Sequence, residues 1–373
     1  MTLCMLSGMA NSRSARMALV ASLVAISIGA CAQDQQAAKP TATAPTAAAP
    51  AAKPMGGMAH TEGMDHSHMM TPEQMADLRR KVPLYAVSTD EQIMSNMKRM
   101  PPDFWGLISS KDLQGAVGVV ALGHGYTLGG NEQFQNYAGP ISKVHPTVVA
   151  PGMAMMSSSH IQAAVDELTG KHGVKTIVAV PMEMGDETSL VRQWKYIFGL
   201  EKDAAWLAAP QVKTTAKVIF TSSPAASSRV STILRDYAVA ASADPARDRL
   251  ILVSHGPETE ADNPAELAVL EKHAAYIRKT SKFTDVKAVS LQDDAVPPVR
   301  AAHVAELRAF IQEARAQGRG VVIVPMLLTK GGFHARLQKD LAGLDYQFAN
   351  RGVIEHPEFQ EWIKATVREA SGG

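Results

Sequence analysis

Cysteine is almost missing from this chain. Its 373 residues include only Cys4 and Cys31, so no disulfide framework holds the fold, and stability has to come from a packed core. Charge imbalance is missing too. Lys and Arg number 37 against 36 Asp and Glu, a net charge of +1, and no basic block is interleaved with aromatics, which argues against a nucleic-acid partner. There is no GxxxxGK[ST] phosphate loop, so no nucleotide is expected. The HExxH helix of zinc proteases and the GxSxG elbow of serine hydrolases are likewise absent. Gly123-His124-Gly125-Tyr126-Thr127-Leu128-Gly129 has its third glycine at the wrong spacing for a dinucleotide loop, and a bulky histidine stands at the tight turn. What is present is 46% hydrophobic and 20% charged residues, the composition of a globular protein with material for two domains.

The chain opens with Arg13 and Arg16 ahead of the apolar run Met17–Ile28, too short for a permanent bilayer span and suited to an export signal over residues 1–31. Ile28-Gly29-Ala30-Cys31 resembles a bacterial lipobox. That resemblance implies cleavage before Cys31, lipidation of its thiol, and a membrane partner engaged through the lipid anchor. With Ala32 next in the chain, it implies a lipoprotein on the periplasmic side, at the outer membrane. Residues 32–71 read as a tether. An Ala/Pro/Thr/Gln stretch without apolar periodicity leads into MGGMAHTEGMDHSHMM. There His60, His66, His68, Met64 and Met69 combine imidazoles with soft thioethers, a donor set for loosely held metal, and the tract resembles the Met/His repeats of periplasmic copper-resistance proteins. Solvated spacer is the other reading of the same composition.

Residues 72–116 read as a helical preamble. Thr71-Pro72-Glu73-Gln74 carries the hydroxyl cap, early proline and early acid of a helix start. Helices are expected over Pro72–Lys81 and Asp90–Met100, with Met94, Met97 and Met100 forming a packing stripe. From Val117 onward, apolar strands alternate with amphipathic helices, which predicts an α/β fold with a parallel sheet covered on both faces. One lobe over 117–243 has strands Val117–Leu122, Thr147–Ala150, Thr176–Met182 and Lys217–Thr221. Its helices fall near Asn131–Tyr137, His160–Leu168, Leu190–Phe198 and Arg229–Val239. A second lobe over 244–373 has strands Arg249–Val253, Val286–Leu291, Gly320–Leu328 and Tyr346–Ala349. Its helices are Pro264–Thr280, Val299–Ala316, Ala335–Leu341 and Pro357–Glu369.

The lobes echo each other. VVALGHG, ending in His124 and Gly125, parallels LILVSHG, ending in His255 and Gly256, and an asparagine follows each, Asn131 or Asn263. VAVPM at 178–182 parallels VIVPM at 322–326. Such duplication predicts two related lobes across a cleft. His255 and His334 stand after the strands of the second lobe, at the sheet end where open α/β folds bind ligands, so two imidazoles can meet at one metal or one proton-transfer site. His255 taken alone also has a plainer reading, as a strand-end histidine that bonds a nearby carbonyl.

These residues resemble the ATP-independent class II tetrapyrrole chelatases, the group that includes sirohydrochlorin cobaltochelatase and ferrochelatase. The likeness lies in Leu252-Val253-Ser254-His255-Gly256 with Asn263, in Val324-Pro325-Met326-Leu327-Leu328 followed by Gly331-Gly332-Phe333-His334, and in His356-Pro357. It implies two flavodoxin-like lobes, each a parallel sheet flanked by helices, with a tetrapyrrole partner in the cleft between them. It also implies His255 and His334 as metal ligands and proton acceptors, and a divalent metal, cobalt before nickel, iron, zinc or copper; Asp293 is the candidate acidic metal ligand, with Asp294 as its alternative. The first lobe departs from the pattern: it keeps His124 but follows its VPM strand with Glu183-Met184-Gly185-Asp186-Glu187, so His124, Glu183 and Glu187 are expected to line the cleft. The middle strand of the second lobe runs into Gln292 where the family tends to place a glutamate, with Asp293 and Asp294 beside it. Two functions follow from the resemblance: metal insertion into a tetrapyrrole such as sirohydrochlorin, or an exported, lipid-anchored metal- or tetrapyrrole-binding protein that keeps the fold without turnover.

Overall fold

The computed structural model describes residues 70–99, 103–125 and 138–372. Cys31, expected to carry a lipid, the tract residues His60, His66, His68, Met64 and Met69, and the helix expected at Asn131–Tyr137 lie outside them. Three helices come first, α1 (Pro72–Lys81), α2 (Pro83–Ala86) and α3 (Asp90–Arg99). Thr71 accepts from the Gln74 N–H while the Gln74 side chain accepts from the Thr71 N–H, a reciprocal cap that fixes the start of α1. The short α2 is not foreseen from periodicity, since four residues carry none. Met97 of the expected methionine stripe is buried, and Met94 packs against the same apolar cluster.

Two sheets follow. The first contains β1 (Gly106–Leu107), β2 (Val117–Gly123), β3 (Thr147–Pro151), β4 (Thr176–Pro181) and β5 (Lys217–Phe220), in the order β1-β3-β2-β4-β5. The second contains β6 (Arg249–Ser254), β7 (Asp285–Ser290), β8 (Val321–Met326) and β9 (Gln347–Phe348), in the order β7-β6-β8-β9. The tiny edge strand β1 is antiparallel to β3; all other pairings are parallel. With β1 set aside, β3-β2-β4-β5 and β7-β6-β8-β9 are the same arrangement, so the duplication read from the VPM and His-Gly motifs extends to the strand order. The central strands β2, β4, β6 and β8 are buried almost throughout, which is why they appear as unbroken apolar runs.

Around the sheets lie α4 (Ser159–Lys171), α5 (Ser189–Ile197), α6 (Ser228–Ala241), α7 (Asn263–Thr280), α8 (Pro297–Ala316), α9 (Gly332–Asp340) and α10 (Pro357–Ser371). Two of them cross over. α6, the closing helix of the first half, packs on β8 and α7 of the second half, while α10, the closing helix of the second half, packs on β4 of the first. α6 and α10 also pack on each other. Polar contacts follow the same route: Tyr237 of α6 donates to the Gly352 carbonyl at 3.0 Å, and Ser231 of α6 bonds the buried His273 of α7 at 2.7 Å. One apolar core therefore runs through Val119 and Val178 of the first sheet, Ile233 and Leu234 of α6, Leu252 and Val324 of the second sheet, and Phe359 and Ile363 of α10. The two halves are joined by shared packing as well as by the chain. No helix among the described residues is long and apolar enough to cross a membrane.

Candidate functional site

A cleft of about 1000 Å³ opens at the carboxyl ends of the strands. Its walls come from both halves and from the preamble: His124, Met153, Met155 and Glu183 on one side, His255, Glu266, Asp294 and Phe333 on the other, with Val82, Leu84, Tyr85 and Asn96 of the preamble region. Size and mostly apolar lining suit a ligand larger than a single metabolite of a few atoms.

His255 follows directly on β6. Its Nδ1 lies 3.0 Å from the Gly256 carbonyl, and a carbonyl only accepts, so Nδ1 carries the hydrogen and Nε2 presents its lone pair. His124 repeats this after β2, with Nδ1 2.7 Å from the Gly125 carbonyl. Both turns depend on glycine, at φ +81° for Gly125 and +78° for Gly256. At Gly256 space is decisive as well. A Cβ there would stand 2.2 Å from Ser290 Oγ and 2.7 Å from the Gln292 backbone nitrogen. Gly256→Ala is therefore expected to displace His255 and the β7 terminus together, costing more than about 1 kcal/mol and weakening metal binding. Thermal melts and metal titration on the same sample check this.

The carboxylates around His255 differ in how committed they are. Asp293 is fully buried; Arg300 Nε donates to its Oδ1 at 2.7 Å, Arg336 pairs with its Oδ2, and His255 Nε2 lies 3.7 Å away. The Asp293 backbone N–H also donates to the His255 carbonyl at 2.9 Å. Asp294 is half exposed and holds its Oδ2 3.6 Å from His255 Nε2. Together His255, Asp293 and Asp294 offer three ligand atoms that all lie within 4.8 Å of one another. Gln292 turns away. It is buried at φ +46°, donates to the Pro257 carbonyl at 3.2 Å and accepts from His303 at 2.9 Å, so it braces the His255 turn and does not line the cleft.

Burial of the His255 ring opposes its positive charge, but Asp294 and Asp293, the Gly256 carbonyl and Glu183 outweigh it and lift its pKa above the ordinary histidine value. The proton competes with a metal for Nε2, so metal affinity is expected to rise with pH through a midpoint above about 6.5, as titrations at several pH values would record. The metal-free protein behaves in the opposite sense. Stabilisation from this imidazolium is complete below the unfolded-state pKa and is lost as pH climbs through the folded-state value.

The expected pairing of His255 with His334 is not what the structure shows. Gly331 and Gly332 turn the chain straight from the loop after β8 into α9, which puts His334 in the first helical turn with its ring underneath. It is 3% exposed, its Nδ1 accepts from the Gly331 N–H at 3.4 Å, and its Nε2 lies 3.3 Å from the Arg351 carbonyl. Burial holds its pKa below the usual histidine value. The neighbouring residue, Phe333, meets His255 instead, with ring centroids 5.5 Å apart. Glu187 is a second correction. The turn between β4 and α5 carries it outward, exposed and away from the cleft, while Glu183 stays on the wall. His124 is on the wall as expected.

Two site residues had little signal in the sequence. Glu266 stands in the first turn of α7; burial raises its pKa above the ordinary glutamate value and the Glu183 charge adds to this, against the nearby Ser254 hydroxyl and the His255 charge. Tyr85 of α2 has its phenol pKa raised by burial and by the Asp294 charge, which brings a preamble side chain to the acidic edge of the site. An acid eleven residues after a strand-end histidine would have been the clue to Glu266; a four-residue helix gives none for Tyr85.

Architecture and cleft together define an α/β protein of two similar parallel-sheet halves with a histidine and carboxylates where the halves meet. Among solved structures, it is similar to SirB from Bacillus subtilis with Fe3+, at a TM-score of 0.50 and 13% identity, over 69% of this chain and 96% of that one. DR2241 from Deinococcus radiodurans, described as a multi-domain protein with structural similarity to chelatases, aligns with a TM-score of 0.45 and 19% identity over 68% of this chain and 55% of its own. No family model matches the chain, and no curated protein matches its sequence. At these identities the likeness is one of fold.

Proposed function

We propose that the protein inserts a divalent metal, cobalt first and iron next, into a tetrapyrrole such as sirohydrochlorin without using a nucleotide. The observation that carries the reading is His255 at the cleft, with its Nδ1 tied to Gly256 and its Nε2 beside Asp294. Insertion breaks two pyrrole N–H bonds as four metal–nitrogen bonds form, so it requires weak metal ligands and nearby proton acceptors. Imidazole serves both needs near neutral pH. Glu183 and Glu266 border the same space and extend the proton-accepting surface. Methionines Met153, Met155 and Met184 with Trp206 and Phe333 supply an apolar wall for a flat macrocycle. The fold shared with SirB, whose structure was solved with Fe3+, supports the reading.

A second reading is a protein that binds the metal or the tetrapyrrole without turnover. What favours it is Phe333 beside His255 where a second imidazole was expected. In either case we assign the chain to the periplasmic side of the membrane, lipidated at Cys31. Mixing the full mature chain with sirohydrochlorin and Co2+ and following absorbance separates the readings. Metallation faster than the uncatalysed rate supports insertion, and a bound but unmetallated pigment supports the second reading. Radiolabelled palmitate incorporation that survives Cys31→Ser would remove the anchor.

A further inference from the structure

We propose that Trp206 and Ser189 of the first half and Glu258 of the second form a clasp across the cleft that positions the His255 turn, and that the preamble sets this clasp through Lys81. The inference deepens the reading above by giving its site a positioning device, and only the effect on metal rests on that reading.

The geometry begins in the loop that joins β6 to α7, residues 255–262. His255 opens it, and Glu258 stands half-buried on the cleft wall three residues on. Its Oε1 accepts from the hydroxyl of Ser189, the buried first residue of α5 in the other half. The Ser189 oxygen in turn accepts from the Trp206 indole N–H at 2.9 Å. An indole N–H only donates and a carboxylate only accepts, so the direction is fixed from Trp206 through Ser189 to Glu258. A chain of bonds that ends on a charge is stronger than its neutral counterpart. A second tie lies beside it: Arg192, about one turn along α5, pairs at 3.6 Å with Asp262 at the far end of the same loop.

Trp206 is also held by its backbone. Its N–H donates to Gln193 at 3.1 Å and its carbonyl accepts from Lys81 Nζ at 2.7 Å. Lys81 ends α1, so the preamble stands one hydrogen bond from the clasp. Gln193 is fully buried and donates to the Ala154 and Leu207 carbonyls at 3.0 Å each, which ties this anchor to the loop that places Met153 and Met155 on the cleft wall. On the other side of the cleft the His255 carbonyl accepts from the Asp293 N–H at 2.9 Å. The loop is thus fixed at its start by β6 and the β7 terminus, at its middle by Ser189 and at its end by Arg192. Losing the middle tie leaves His255 on a loop held at its ends alone. The core shared through α6 and α10 joins the halves independently of the clasp, so breaking the clasp moves the loop without parting them.

The test is amide hydrogen exchange on the full mature chain, read at Asp293, whose N–H reports the place of the His255 carbonyl. Ser189→Ala and Glu258→Ala should each speed exchange there by about tenfold, with unchanged circular dichroism and unchanged exchange in α6 and α10. Glu258→Gln keeps the acceptor oxygen and should restore most of the protection. Lys81→Met should speed the same exchange by about threefold from its place in the preamble. The Ser189→Ala, Glu258→Ala double variant should match either single one, as residues that act as a unit do. Wild-type exchange at Asp293 in both single variants overturns the proposal, as does a double variant whose effects add. Titration of the same samples with Co2+ carries the link to function: Glu258→Ala should bind it about tenfold more weakly than wild type. Wild type that takes up no Co2+ in the cleft defeats the insertion reading only, because exchange at Asp293 decides the clasp without metal.

Discussion

His255→Ala is expected to lower the rate of the proposed metal insertion by about 10²- to 10⁴-fold, the range for loss of a positioned proton-transfer group, and to abolish the metal binding proposed for the cleft. His334→Ala is expected to leave that metal binding unchanged and to reduce stability. The contrast follows from where the rings are. His255 holds Nε2 toward the cleft because Nδ1 is engaged by the Gly256 carbonyl. His334 spends both nitrogens on the backbone, at Gly331 and Arg351. Its removal takes two part-buried hydrogen bonds from the turn into α9 and costs about 1 kcal/mol for each. Urea denaturation and metal titration on the two variants check both halves of the prediction. Loss of metal binding in His334→Ala with stability intact would overturn the assignment of roles.

Asp293→Ala is expected to destabilise the protein by about 2 to 3 kcal/mol and to loosen the cleft wall. Removing one member of a buried ion pair commonly costs about 3 to 5 kcal/mol. The lower figure applies because the groups left behind are partly solvated: Arg336 is half exposed, and Arg300 keeps Asp340. The carboxyl is the common anchor of α8 and α9, since Arg300 comes from the first and Arg336 from the second. Asp293→Asn retains the shape but not the charge, and should fall between wild type and Asp293→Ala in a denaturant titration. Equal stability of all three would show that the arginines find other partners.

Much of this architecture was legible in the chain. β2, β4, β6 and β8 are covered on both faces, so they appear as apolar runs, and the repeated His-Gly and VPM segments reveal the duplication. His255 and His124 follow directly on such strands, and Glu183 stands two residues beyond β4, which is what points all three to the cleft. His334 departs from its expected place for a definite reason. A Gly-Gly pair after a strand can extend the loop or start a helix, and here Gly332 opens α9, turning the next two side chains to opposite sides. Phe333 takes the cleft face and His334 the interior. Glu266 and Tyr85 reach the site from helices whose own periodicity concerns the core, so nothing local marks them. Nearness to β4 points Glu187 to the cleft, but a turn reverses side-chain direction within a few residues.

The exchange of α6 and α10 bears on how such a chain could have arisen. Each closing helix covers a strand of the opposite half, so a free-standing half-length precursor would have lacked a cover for its own sheet while carrying one meant for a neighbour. Such a precursor would be stable only as a reciprocal dimer, and joining two copies end to end would make that partnership permanent. Once joined, one copy would be free to drift in its ligand-facing residues without losing the scaffold, in keeping with Glu183 after the VPM strand of the first half where Leu327 follows that of the second.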